Sequence, residues 1–183
     1  MSESEHLKRH RDAWTYRGGE RPDFAIEPGP GQESVWDYPR PPAYVRDDRP
    51  VRIAAGETVI AASDHSIRAL ETGSPPAFYL PPEAVEHSLL RPSDRRTFCE
   101  WKGEAEYFDV VTETGIIEAP IWRYPAPLAG AEVIAGWFSA YPEKLDCRVG
   151  DEPVHAQAGR YYGGWVTREL VGPWKGEPGT SHW

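Results

Sequence analysis

Nineteen prolines and 17 glycines in 183 residues break this chain too often for a fold built on long helices. Each interior proline removes a helical hydrogen bond and clashes with the preceding turn. Short strands joined by tight turns suit the composition better. Eight tryptophans and nine tyrosines then fill the space between them. The hairpins are legible. "RPVRIAA" and "ETVIAAS" flank Gly56, and "SIRALE" and "AFYLPP" flank the stop "TGSPP". "PPEAVEHSLL" predicts one or two helical turns from Glu83, and "TFCEW" with "AEYFDVVT" forms a further hairpin. "IEAPIWRY", "IAGWFSAY" and "LDCRVG" complete eight or nine strands in a β body that starts near Arg49. The pattern predicts a mainly β sandwich or partly closed barrel. The crossover helices of a doubly wound α/β fold are missing.

Charge narrows the partners. Twenty basic against 29 acidic residues leave a net −9, and no cluster of Lys and Arg offers the counterion-releasing surface that nucleic acid requires. A small ligand suits the chain better. No apolar run approaches the roughly 20 residues of a membrane span, and no signal-peptide core is evident. The expected location is therefore cytoplasmic, with Cys99 and Cys147 as free thiols.

Outside the β body, Ser4 to Ala13 reads as a short polar helix that carries His6 and His10 one turn apart. No third ligand lies nearby, so no metal is expected. Residues 18–32 read as loop. The tail, "AQAGRYYGGWVTRELVGPWKGEPGTSHW", is too aromatic for a disordered linker. It is expected to dock Tyr161, Tyr162, Trp165 and Trp174 onto the body or onto a second subunit. Two echoes occur. "WDYPRP" at Trp36 and "WRYPAP" at Trp122 suggest polyproline segments that either close sheet edges or wall a planar ligand. "WKGE" at Trp101 and Trp174 is short enough to arise by chance.

Two segments carry candidate chemistry. In "RRTFCEWKGEAEYF" a two-residue turn at Lys102-Gly103 sets Glu106 opposite Cys99, which raises the thiol pKa. A loop one residue longer moves Glu106 away and leaves Lys102 or Arg95 to support a thiolate. Both registers fit the sequence. Lys102, beside a glycine and two aromatic clusters, is either a solvated turn residue or a dry lysine that loses basicity. In "ETGSPPAFYLPPE", Glu71, Thr72, Ser74 and Tyr79 set polar tips among prolines, as small-molecule pockets do. Nucleotide-binding loops, HExxH, CxxC and EF-hand patterns are missing. A Ser74, His87 and Asp109 triad can be drawn, as it can in most chains.

Four stretches, "ESVWDYPRPP", "LETGSPPAFYLPPEAV", "LLRPSDRRTFCEWKGEAEYFDV" and "APIWRYPAPLAG", resemble the family known as domain of unknown function 427 (DUF427). The resemblance rests on Tyr79-Leu80-Pro81, on Cys99, Lys102, Gly103, Ala105 and Tyr107, and on Trp122 to Pro125. It spans roughly residues 33–154. It implies a β-tent, or Mss4-like, fold of two antiparallel sheets pinned at one end, with one or two short helices. Many β-tents staple that end with zinc held by paired CxxC motifs. This chain has none, so no structural zinc is expected. The family also carries a nucleotidyltransferase label. Here Gly73-Ser74 runs into Pro75-Pro76, and the next acid is Glu83, so ligands for two-metal chemistry are lacking.

The expected organisation is an N-terminal arm over 1–32, a β-tent domain over 33–154 and an aromatic extension over 155–183. The expected function is a small-molecule pocket in the mouth between two sheets, acting on a small polar or planar metabolite without a cofactor. Lys102, Cys99 and Glu71 are the candidates for chemistry, and Ser74, Tyr79, Tyr107, Trp122 and Tyr124 for ligand contact. Whether the pocket is catalytic stays open. The alternative is a non-catalytic interaction or homodimerisation module that uses the aromatic and proline-rich edges.

Overall fold

The computed structural model describes residues 3–159, 161–180 and 183; the side chains of Glu3, Ser4 and His6 lie outside it, and with them the His6–His10 pair. One α-helix, α1 (Glu3–Asp12), precedes the strands. These are β1 (Glu33–Ser34), β2 (Ala43–Asp47), β3 (Val51–Ala55), β4 (Thr58–Ser63), β5 (Ser66–Glu71), β6 (Ser74–Tyr79), β7 (Leu90–Cys99), β8 (Gly103–Thr112) and β9 (Gly115–Arg123). After them come β10 (Phe138–Ala140), β11 (Asp146–Val149), β12 (Glu152–Pro153), β13 (His155–Ala156), β14 (Trp165–Val166) and β15 (Leu170–Val171). The protein is mainly β with several antiparallel sheets and few helices. The sheets run β10-β9-β8-β7, β12-β11-β3-β4 and β2-β5-β6, with small pairs β13-β14 and β1-β15. Among the described strand pairs only β1-β15 is parallel.

The hairpins read from the sequence form near their expected places, with four adjustments. β7 starts at Leu90 rather than Thr97 and ends at Cys99, which leaves Glu100 and Trp101 in the loop. β2 lies ahead of Arg49, where charged Arg46, Asp47 and Asp48 mask its strand pattern. β6 starts at Ser74 and takes in Pro75 and Pro76; it is an edge strand of its sheet, where proline's missing N–H costs no ladder bond. The turns after Pro81 are single 3-10 turns, Pro82–Ala84 and His87–Leu89.

Alternation along three strands separates two packed faces. Phe78, Phe108 and Ile121 point into the main core with Ile53, Ile60, Leu80 and Phe138. Their neighbours Tyr79, Tyr107 and Trp122 point the other way, into a second, aromatic cluster with Tyr124 and Tyr141. A strand buried on both faces reads as a continuous apolar run rather than an alternating one. That is why "AFYL", "YFDV" and "PIWRY" look alike in sequence while serving two different spaces.

The extension packs on the body. Trp165 is fully buried in the main core, stacks on Phe78 at 5.1 Å and donates its indole N–H to the Ala140 carbonyl at 2.9 Å. Leu170–Val171 pairs with Glu33–Ser34, and Trp36 Nε1 donates to the Pro173 carbonyl at 2.7 Å. Tyr16 and Ala25 of the arm and Leu170 and Trp174 of the extension thus pack with Val35, Trp36 and Tyr38 in a small core. The two W-x-Y-P-x-P echoes diverge: Trp36 sits in a 3-10 turn within this small core, whereas Trp122 lies in β9.

Trp165→Ala is expected to cost roughly 3–5 kcal/mol, the usual range for emptying a fully buried aromatic site. Urea denaturation followed by circular dichroism measures it. A loss below about 1 kcal/mol means that the extension is peripheral to the core.

Candidate functional site

Two turns and one extension build a cavity of about 180 Å³. The β5–β6 turn, Thr72-Gly73, sets Glu71 opposite Ser74. The β7–β8 hairpin has a three-residue loop, Glu100 to Lys102, with Cys99 opposite Gly103. Gly103 adopts φ +95°, the conformation such loops reserve for glycine. The longer-loop register is therefore the one present. Glu106 pairs with Arg96 across the ladder and bonds Arg123, away from the thiol. Tyr107 of β8 lies opposite Trp122 of β9, and Tyr124 follows that strand.

All eight residues singled out from the sequence line this cavity: Glu71, Ser74, Tyr79, Cys99, Lys102, Tyr107, Trp122 and Tyr124. The arm and extension close it with Trp14, Gln157, Tyr161 to Gly164 and Lys175. Gly163 lies flat on the Trp122 ring, where a Cβ would fall 2.4 Å from the nearest ring carbon, so only glycine permits this roof. Tyr161, 61% exposed, marks the mouth. Inside, Trp122 Nε1 donates to Tyr79 Oη at 3.5 Å, and Tyr107 Oη bonds Thr97 Oγ1 at 2.8 Å.

The electrostatic centre is Glu71. Lys102 Nζ lies 3.8 Å from Oε2, Lys175 Nζ lies 3.8 Å from Oε1, and Arg40 Nη2 donates to Oε1 at 3.3 Å. Burial alone pushes the Glu71 carboxyl up, but Lys102, Lys175 and Arg40 outweigh it and hold the group below its usual range. The two lysines diverge. Burial opposes the Lys102 ammonium, yet the Cys99 sulfur, Glu71 and the tyrosine oxygens of Tyr124 and Tyr79 raise it above the ordinary lysine value. Burial also pushes the Cys99 thiol up, so at neutral pH Glu71 is the formal negative charge that keeps Lys102 protonated. Burial brings Lys175 down to about 8; Glu71 and Glu100 act to raise it, and Arg40 and Lys102 to lower it.

These shifts change two sequence readings. Lys102 is dry, as one alternative held, but it gains basicity rather than losing it; the loss falls on Lys175. Cys99 is a wall of the cavity with a protonated thiol, since burial raises its pKa more than Lys102 lowers it. The Ser74, His87 and Asp109 triad does not assemble. His87 Nε2 lies 2.8 Å from the Pro82 carbonyl oxygen, and Asp109 accepts from Arg91 and the Ala119 N–H. Among the described residues no three His, Cys, Asp or Glu side chains converge on a metal site.

Lys175 and Trp14 escaped the sequence reading. One signal pointed to Lys175: both copies of "WKGE" deliver their lysine to the same carboxylate. Trp14 gave no such sign. Its ring lies 4.0 Å from Lys175 Nζ and 4.3 Å from the Arg40 guanidinium carbon, and its indole N–H donates to Glu100 Oε1 at 2.6 Å. Chemically, the arrangement keeps one amine charged and lets a second release its proton near neutral pH beside a carboxylate that can relay it.

A family model described as domain of unknown function (DUF427) matches residues 43–151, more than half of the chain. No curated protein matches. Glu71, Lys102 and the aromatic walls fall inside the matched span. Trp14, the Gly163 roof and Lys175 fall outside it.

Glu71→Gln leaves three buried cations without a counter-charge. It is expected to cost roughly 3–5 kcal/mol, as breaking a buried ion pair from one side does. Adding Lys175→Met to that variant should recover part of the loss. Denaturant melts of the single and double variants measure both effects. A neutral Glu71→Gln contradicts the central role given to this carboxylate.

Proposed function

We propose, on the premise that the chain belongs to the DUF427 family, that the cavity binds a small, planar, polar metabolite and orients it by charge. The supporting observation is that Lys102 and Lys175 bring two amines to one aromatic-walled space, where neither Nζ makes a hydrogen bond among the described residues. Burying a charged donor with nothing to accept from it is costly, and a ligand oxygen supplies the acceptor. A cavity of about 180 Å³ is close to the ~150 Å³ that admits one benzene ring. It is smaller than the ~300–1,000 Å³ of pockets for larger ligands. The ligand is therefore a single ring or smaller. Tyr79, Trp122 and Tyr124 offer flat faces, and Ser74 and Gln157 offer neutral hydrogen-bonding groups.

Two finer readings belong to the same proposal. A β-tent is supported by the way the β7–β10 and β3-β4-β11-β12 sheets share one core around Phe78, Phe138 and Trp165. A cytoplasmic setting is supported by two cysteines without a disulfide. The interaction-module alternative loses its argument in the extension, because Trp165 and Trp174 are spent on the chain's own cores.

Single-ring carboxylates and short oxo acids, screened by thermal shift, provide the test. At about one hundred times Kd a ligand adds about 2.7 kcal/mol, which raises Tm by roughly 5–10 °C in a chain of this size. Lys102→Met should abolish that shift while the unliganded variant melts within a few degrees of the wild type. Shifts that persist in Lys102→Met, or no shift with any compound, contradict the proposal.

A further inference from the structure

We infer that Lys175 is a nucleophilic amine that forms an imine with a small aldehyde or ketone bearing an anionic group, which Lys102 holds. The inference rests on the binding role proposed above and names the chemical class of its ligand.

The first support is residue choice. Only four of the 20 cationic side chains are lysines, at positions 8, 102, 144 and 175, and the other 16 are arginines. Two of those four line the cavity, whereas Lys8 and Lys144 are exposed. Arginine stays protonated and serves any purely ionic purpose, as Arg40 does behind Glu71; lysine alone can present a neutral amine. The second support is the surroundings of the amine. Lys175 is 2% exposed, its Nζ faces Glu71 at 3.8 Å, and the Trp14 ring fixes its direction from 4.0 Å. Arg40 and Lys102 crowd it with like charge; its pKa of about 8 follows from burial first, with Glu71 and Glu100 raising it and these two cations lowering it. Lys102 stays charged, so the pair divides into one anchor and one nucleophile.

The step balances within the cavity. The Lys175 nitrogen lone pair attacks the carbonyl carbon, and the C=O π pair moves to oxygen. Glu71 takes a proton from the nitrogen and returns it to that oxygen, which gives a neutral carbinolamine. A second proton follows the same route, the C–O bond breaks, and the oxygen leaves as water while the nitrogen pair completes C=N. The step needs neither oxidant nor reductant. The anionic group of the ligand meets the Lys102 ammonium, whose three N–H donors make no hydrogen bond among the described residues.

Glyoxylate with cyanoborohydride, at neutral pH and with the full-length protein, provides the test. Reduction converts each imine into a stable carboxymethyl-lysine, and peptide mapping by mass spectrometry over time gives a rate for each of the four lysines. Exposed lysines are about four parts in ten thousand neutral at pH 7, against about one tenth for Lys175, so Lys175 should react at least roughly a hundredfold faster than Lys8 and Lys144. Lys102 should stay unmodified. Labelling of Lys175 no faster than that of Lys8, or label on Lys102 instead, overturns the inference. If Lys102-dependent thermal shifts survive that result, the binding role stands and only the nucleophile is lost; if they fail as well, both fall.

Discussion

Burying one carboxylate among three cations ties distant parts of this chain to a single point. Arg40 comes from the segment before β2, Lys102 from the β7–β8 loop and Lys175 from the extension, and all three meet Glu71 at the end of β5. None of the four charges is tolerable there alone, since desolvation of an unpaired ion costs several kcal/mol. Arg40 also donates to the Tyr16 and Thr72 carbonyls, at 2.6 Å and 2.7 Å, so the arm is bound into the same network. The cavity exists where these segments meet and not within any one sheet.

Two-faced strands make that position possible. Phe78, Phe108 and Ile121 secure β6, β8 and β9 to the main core. The opposite faces of the same strands are thereby free to carry tyrosine and tryptophan into a space only partly filled. The extension then acts twice: Trp165 fills the main core from one side, and Gly163 and Lys175 roof the cavity on the other. Stability and site geometry therefore come from the same segment of chain.

The sequence showed the hairpins well, because glycine and proline set the turns and β-branched residues fill the strands between them. It also showed the cavity walls, since "ETGS" and "CEWKGE" are local turns that carry their polar groups with them. The register of the second hairpin did not follow from the sequence: two-residue and three-residue loops both place Gly103 where a positive φ is needed, and the difference lies in the pairing of Arg96–Cys99 with Gly103–Glu106. Lys175 was hidden because it lies 104 residues from Glu71 (175 − 71), and no local rule links them. The basicity of Lys102 is hidden in the sequence for the same reason. Dryness was legible from its aromatic neighbours, but the buried carboxylate that reverses its effect comes from another strand.

The most direct test of the account is a pH titration of the lysines by NMR in protein carrying ¹³C at the lysine ε position, where only four signals arise. One signal, absent from Lys175→Met, should titrate with a midpoint near 8. Another, absent from Lys102→Met, should stay protonated beyond the ordinary lysine value of about 10.4. If both titrate at that ordinary value, the two lysines are solvated surface groups, and the shared carboxylate does not organise the site.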